Sequence, residues 1–165
     1  MSRSDRQYTR REWLWAFAPF AVWVAVIFFL SSPQGSMAET SRFVRPILEF
    51  LFPGADDATI QIYHGYVRKA AHFSEYAVLA WLAARAFRIL LAGRIHRWQY
   101  AAALAVVTVT ACLDEFNQSF EPSRTGSFRD VLLDLAGGVV MVALLWLVKW
   151  PRPAIGPDSH LDLKE

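Results

Sequence analysis

The residues best suited to chemistry in this sequence are one histidine and a group of acids that stand near basic and amide side chains. His72 and Glu75 are three positions apart, which places both on the same face of a helix. An imidazole oriented by a carboxylate can act as a general acid or base, and a guanidinium presents paired donors to a phosphate or carboxylate. The candidate catalytic residues are His72, Glu75, Asp114 and Glu115. The candidate substrate-binding residues are Arg68, Lys69, Tyr76, Gln118, Arg124, Asp130 and Asp134.

These polar groups belong to a chain of 165 residues that is rich in apolar side chains. Its residues are 55% hydrophobic and 19% charged, whereas soluble domains carry about 25% charged residues. The segments 13–30 and 98–113 contain no charged residue, and crossing a hydrocarbon core of about 30 Å requires about 20 mostly apolar residues. The sequence therefore predicts an integral membrane protein. The net charge of +2 gives no indication of a nucleic-acid partner, and the single cysteine excludes an internal disulfide.

The elements that position the candidate residues are predicted to be membrane-crossing helices. We expect an all-α fold, a bundle of four transmembrane helices at about 13–31, 66–88, 98–117 and 130–150. The second predicted crossing is interrupted by ionisable residues. We still predict it to cross the membrane, because including it gives an even number of crossings and loop charges that agree better with the positive-inside rule. The first outer loop, residues 32–65, is predicted to hold a short amphipathic helix that is broken by Pro46 and ended by Pro53-Gly54.

The distribution of loop charges predicts the orientation of the bundle. Arginines without matching acids precede the first crossing and fill the loop between the second and third, whereas the other two loops balance their basic residues with acids. By the positive-inside rule, both termini are cytoplasmic. Residues 1–150 form one transmembrane domain, and 151–165 form a polar, flexible cytoplasmic tail. A cleaved signal peptide is the competing interpretation of the first segment, with Ser36-Met37-Ala38 as its cleavage motif.

With this topology, polar residues from every crossing lie at one depth, in the outer third of the bundle. Because unpaired ionisable groups inside a membrane cost at least about 2.5–3.5 kcal/mol each, we expect them to face the interior and to find partners there. The prediction is one pocket open to the outside, flanked by Glu115 and Gln118, in which Asp114 pairs with Arg124 or Lys69. The alternative is an ion-pair network that only joins the helices.

A metal-dependent variant of the pocket would use His72 together with nearby carboxylates. Mixed imidazole and carboxylate ligands suit several divalent ions, but the sequence has no metal-ligand spacing signature. We therefore predict no metal site from the sequence. The sequence specifies neither a cofactor nor an oligomeric state.

Three blocks of residues, in order on three predicted helices, resemble the VanZ-like family of bacterial membrane proteins. The blocks are Arg68-Lys-x-x-His72-Phe-x-x-Tyr76, Asp114-Glu115-x-x-Gln118-x-Phe120-x-Pro122-x-Arg124 and Asp130-x-x-x-Asp134-x-x-Gly137. The resemblance covers about residues 12–148 and includes the Ser31-Ser32-Pro-Gln34 exit from the first crossing. Position 134 departs from the pattern, since many relatives carry Asn where this chain has Asp134.

The resemblance implies a small multi-pass protein of the bacterial cytoplasmic membrane that is associated with glycopeptide-antibiotic tolerance. Its partners would be membrane lipids and a lipid-linked or anionic ligand of the cell envelope. The resemblance implies no particular reaction, so an enzyme and a non-catalytic binding protein both remain open.

Overall fold

The computed structural model describes residues 8–32, 37–91, 97–120 and 127–148, and within these ranges it contains five α-helices and no strand. The all-α prediction is confirmed. The helices are α1 (Arg10–Ser31), α2 (Met37–Leu51), α3 (Asp57–Leu90), α4 (Trp98–Gln118) and α5 (Phe128–Leu147). Two predictions, the role of Arg124 and the tail 151–165, lie outside the described residues.

Helix α1 begins where the sequence provides a capping box. The Thr9 hydroxyl accepts a hydrogen bond from the backbone N–H of Glu12, and the Glu12 carboxylate accepts one from the backbone N–H of Thr9 at 2.8 Å. These two bonds satisfy amide groups that have no partner inside the helix. Helices α1, α4 and α5 begin and end within about three residues of the predicted crossings, which is close to the ordinary uncertainty of helix ends.

Two predictions about the first outer loop are wrong. Helix α2 runs through Pro46 without a break. Proline has no backbone N–H, so one hydrogen bond of the helix is missing there, and the helix tolerates this loss because the turn is exposed. Helix α3 begins at Asp57, well before residue 66, because Asp56 caps it by accepting from the backbone N–H of Thr59 at 2.8 Å. The loop between α2 and α3 is therefore short.

Helix α3 is the central helix of the bundle and packs against the other four helices. Alanines in its C-terminal half, including Ala80, Ala83 and Ala84, are fully buried and allow neighbouring helices to approach closely. Helix α5 adds two glycines at its contacts. A Cβ atom on Gly137 would overlap the backbone carbonyl of Phe73, and one on Gly138 would lie 2.8 Å from Val107 Cγ1. The close contact at Gly137 fixes the register of α5 against α3.

The outward faces of the bundle carry many large apolar side chains. Leu14, Trp15 and Phe29 of α1 and Leu144 and Trp146 of α5 are all exposed. Helices α1 and α5 are long and apolar enough to cross a membrane, whereas α3 and α4, which carry most of the charged and amide residues of the candidate site, do not meet the same criterion. Two of the four predicted crossings thus have this support.

Candidate functional site

Four of the predicted polar residues, Arg68, His72, Glu75 and Asp114, line a cavity of about 130 Å³ where α1, α2, α3 and α4 meet. His64 adds a further ionisable group to its wall, together with apolar side chains of α1 and α2. A second cavity of about 540 Å³ lies beside it and is lined by residues of α2 and the first turns of α3. His64 lines both cavities and therefore stands between them.

Asp114 is the centre of a hydrogen-bonded chain that joins α3 and α4. Its side chain is only 1% exposed, and its Oδ2 accepts from the Tyr76 hydroxyl at 3.2 Å and from Gln118 Nε2 at 3.0 Å. Gln118 Oε1 in turn accepts from Arg68 Nη2 at 3.4 Å. The guanidinium that faces the cavity is thus connected to the buried carboxylate through one amide.

His72 faces Asp134, a second buried carboxylate, which comes from α5. Nδ1 of His72 lies 3.5 Å from Oδ1 of Asp134, and Asp134 is 1% exposed. The distance is that of an ion pair, but the geometry is not that of a hydrogen bond. Among the described residues, these two atoms and Oδ1 of Asp114 are buried without any hydrogen-bond partner.

Contacts between helices hold the cavity wall in place. Trp23 Nε1 of α1 donates to the backbone carbonyl of Glu75 at 2.9 Å. Asn117 Nδ2 of α4 donates to Ser31 Oγ at the end of α1, at 3.4 Å. Near the start of α3, Thr40 Oγ1 of α2 is in hydrogen-bond contact with His64 Nε2 at 3.3 Å. Each of these bonds joins α1 or α2 to α3 or α4 at the level of the cavity.

His64 lies before the predicted crossing at 66–88, and its pKa is lowered below the usual value for histidine. Burial of the ring is the largest cause, and the positive charge of Arg68 adds to it. The residue is 5% exposed. We therefore expect the neutral imidazole to predominate between the two cavities at neutral pH.

The structure brings together most of the candidate residues predicted from the sequence. The residues that line the cavity or bond directly to those that do are Arg68, His72, Glu75, Tyr76, Asp114, Gln118 and Asp134.

Three other candidate residues lie apart from this group. Lys69 is exposed. Glu115 is half-buried and accepts a hydrogen bond from the backbone N–H of Ser127 at the start of α5. Asp130, in the first turn of α5, is not among the residues that line the cavity. Asp114 is bonded to Tyr76 and Gln118 and not to Lys69, because Asp114 is buried whereas Lys69 is exposed.

Sequence reasoning gave no role to Trp23 or Thr40. Each makes a hydrogen bond between helices, and no spacing in the sequence marks such contacts. The early start of α3 could have been found from Asp56-x-x-Thr59, which is a typical capping pattern.

Comparison of the chain with models of protein families tests the family resemblance that the three motif blocks suggested. Residues 16–149 match the model described as VanZ/LLP1, a range that includes α2 to α5 and most of α1. The chain belongs to the VanZ/LLP1 family. No curated protein and no solved structure matches the chain. The VanZ/LLP1 family is membrane-associated, in agreement with the two apolar helices of this chain.

The site of this VanZ/LLP1 chain combines groups with three chemical abilities. Arg68 can hold an anionic group through paired donors. His72 can accept or donate a proton, and it stands beside carboxylates that can orient it. His72, Asp114 and Asp134 together place possible metal-ligand atoms within 4.8 Å of one another.

Proposed function

We propose that this VanZ/LLP1 protein crosses the bacterial cytoplasmic membrane four times and binds the anionic headgroup of a lipid-linked envelope compound on the outer side. The crossings would be α1, α3, α4 and α5, with both termini in the cytoplasm. The observation that carries the proposal is the composition of one cavity: Arg68 and four further ionisable residues share its wall with apolar side chains of α1 and α2. An amphiphilic ligand needs both kinds of surface.

The burial pattern of α3 and α4 supports their assignment as crossings. Helix α3 has 34 residues and is about 51 Å long, more than a core of about 30 Å requires. Because it is the central helix, its charged residues can face protein and cavity instead of lipid. On α4, Asp114 and Gln118 are buried, whereas Val109, Leu113 and Phe116 on the opposite side are exposed. That distribution is typical of a helix between a polar interior and lipid.

Helix α2 supports a ligand that comes from the membrane. Phe43, Ile47 and Phe50 form one exposed apolar face, and we propose that this face lies in the outer membrane interface. Thr40 and Val44, on another side of the same helix, line the cavity. A lipid whose chains remain in the bilayer could then place its headgroup between α2 and α3.

The volume of the cavity limits what it can hold. About 130 Å³ accommodates a phosphate or part of a headgroup and not an entire lipid. The adjoining cavity of about 540 Å³ would give the headgroup a path to water. Binding of a lipid-linked cell-wall compound would also connect the protein to the glycopeptide tolerance that the resemblance implied.

The alternative, a purely structural ion-pair network, accounts less well for the site. A network that only joins helices gains little when its members lack partners. Buried oxygen atoms of Asp114 and Asp134 have no hydrogen-bond donor among the described residues. Arg68 also lines a cavity instead of being enclosed by acids.

Lipid binding by matched variants tests the proposal. We would measure binding of a polyprenyl phosphate and of phosphatidylcholine by native mass spectrometry of the purified protein. A hydrogen bond to a charged group contributes about 1.5–3 kcal/mol, so Arg68→Gln should weaken phosphate binding by about 10- to 100-fold. Lys69→Gln, its exposed neighbour, should change binding by less than about 2-fold. Equal losses in both variants, or equal binding of the two lipids, would reject the proposed site.

A further inference from the structure

We infer that His72, Asp114 and Asp134 form a site for a divalent transition-metal ion at the wall of the cavity. The three residues come from three different helices, α3, α4 and α5, and the sequence gave no metal-ligand spacing for them. The inference deepens the proposed function, and the part of it that concerns ligand binding rests on that proposal.

The geometry of the three side chains is close to that of a coordination site. One ligand atom from each residue can be chosen so that all three lie within 4.8 Å of one another, and His72 Nδ1 and Asp134 Oδ1 are already 3.5 Å apart. Tetrahedral ligands about 2.1 Å from a common ion are about 3.4 Å apart. The widest separation must therefore shrink by about 1.4 Å, which side-chain rotations can supply.

The strongest reason to expect a ligand here is that each of the three groups has one buried atom without a hydrogen-bond partner. Nδ1 of His72, Oδ1 of Asp114 and Oδ1 of Asp134 are all buried and accept or donate no hydrogen bond. Both carboxylates are only 1% exposed. Buried polar atoms without a partner are rare in proteins, and one cation would satisfy all three lone pairs at once.

The surrounding structure holds these groups in the orientation that a metal requires. Tyr76 and Gln118 both donate to Oδ2 of Asp114, which leaves Oδ1 available. Asp134 lies one turn before Gly137. Gly137 is in close contact with Phe73, which directly follows His72, so this contact holds α5 beside His72. Such outer contacts typically orient metal ligands and raise affinity.

The donor set indicates which ions the site would take. One imidazole nitrogen and two carboxylate oxygens suit Zn²⁺ or Mn²⁺, whereas Ca²⁺ and Mg²⁺ prefer oxygen ligands alone. His72 and Asp114 also line the cavity, so an ion held by three protein groups would keep a position open toward it. A phosphate oxygen or a water molecule could occupy that position.

Metal analysis of the purified full-length protein tests the inference. The protein is extracted in detergent without chelator, its metal content is measured by mass spectrometry, and it is then stripped with EDTA and titrated with Zn²⁺ or Mn²⁺. We expect about one ion per chain, and at metal concentrations about 100-fold above Kd a rise of roughly 5–10 °C in the unfolding midpoint. Absence of bound metal together with an unchanged midpoint on titration would overturn the inference.

Matched variants show whether the ion occupies these residues. Asp114→Asn and Asp134→Asn should each lose the bound ion, whereas Glu115→Gln should keep it, because Glu115 is bonded to Ser127 at the start of α5. Retention of the ion in both Asn variants, or equal loss in Glu115→Gln, would reject the assignment.

A different variant tests the same site in case the Asn variants do not fold. His72→Cys in a Cys112→Ala background, since Cys112 is a free exposed thiol, should give thiolate-to-metal charge-transfer absorption when Co²⁺ is added. Absence of that absorption in a folded variant counts against the site. Arg68→Gln separates the two proposals: it should keep the ion and lose phosphate binding. If EDTA leaves lipid binding of a metal-free wild type intact, the part of the inference that gives the ion's open position to the lipid phosphate fails and the proposed function stands.

Discussion

The hydroxyl of Tyr76 donates a hydrogen bond of 3.2 Å to Oδ2 of Asp114, and neither residue is more than 1% exposed. This bond crosses the buried contact between α3 and α4. Tyr76 lies one helical turn after His72, so the same face of α3 presents an imidazole to one buried carboxylate and a phenol to another. The relationship makes Asp114 dependent on α3 for its orientation.

Replacement of Tyr76 by phenylalanine should destabilise the protein. The ring still fills its space, but Oδ2 of Asp114 keeps only the bond from Gln118. We expect the free energy of unfolding to fall by about 1–3 kcal/mol, the usual cost of removing one partner from a buried polar group. Thermal unfolding in detergent measures this. Tyr66→Phe, at a position 63% exposed on the same helix, should change stability by less than about 0.5 kcal/mol. Similar changes in both variants would contradict the role of the bond.

Substitution of Gly137 by alanine should also destabilise the bundle. The added Cβ would overlap the backbone carbonyl of Phe73, and backbone cannot rotate away as a flexible side chain can. Helices α3 and α5 would have to separate, at an expected cost of about 1–3 kcal/mol, which unfolding in detergent would detect. Because Asp134 lies on the same helix, we also expect weaker metal binding in this variant.

Gly65→Ala is the matched control for Gly137→Ala. A Cβ atom at Gly65 would meet nothing within 4 Å, and alanine is favoured over glycine inside a helix by about 0.5–1 kcal/mol. This variant of α3 should therefore be as stable as the wild type or slightly more stable. Destabilisation of both variants to the same degree would show that the contact with Phe73 is not the cause.

The fold could be predicted from the sequence wherever apolar length alone determines a helix. The uncharged segments gave α1, α4 and α5 to within a few residues. The start of α3 was missed because residues 57–65 have no apolar periodicity and depend on the Asp56 cap. Pro46 was wrongly expected to break α2, since one proline on an exposed turn removes a single hydrogen bond.

The sequence could predict which residues belong to the site but not which of them contact each other. Helical spacing placed His72 and Glu75 on one face, and both line the cavity. The sequence placed Glu115 beside the pocket, whereas Asp114 lines the cavity, because their directions differ by about 100° and the rotation of α4 depends on packing such as that of Val107 against Gly138. The convergence of Asp114, Asp134 and His72 is a property of three helices together and has no signature in any one of them.

Acidification should destabilise the protein in part through His64. Its pKa in the folded protein is lowered by burial and by Arg68, so between that pKa and the usual value of about 6.5 the unfolded chain binds more protons than the folded one. The free energy of unfolding therefore falls as pH falls below about 6.5. The groups that face His64 from neighbouring elements are Thr40 of α2, in hydrogen-bond contact with the ring, and Arg45 and Asp57, which line the second cavity that His64 also borders.

The measurement for His64 is the unfolding midpoint at pH 7.5 and at pH 5.5. In His64→Gln the amide keeps a polar group near Thr40 but cannot titrate, so the decrease on acidification should be smaller than in the wild type. An unchanged decrease would mean that His64 does not contribute. The pH range lies above the titration of ordinary carboxyl groups, which limits their contribution.

Cysteine accessibility in the full-length chain should place the two ends of α4 on opposite sides of the membrane. With Cys112→Ala as the background, Arg97→Cys, Ser119→Cys and Ala58→Cys introduce single thiols at exposed positions. A membrane-impermeant maleimide added to intact cells should label positions 58 and 119, and it should label position 97 only after permeabilisation. The background variant without any cysteine should remain unlabelled. Labelling of positions 97 and 119 from the same side would mean that α4 does not cross, and the cavity could then no longer be assigned to the outer side of a four-crossing bundle.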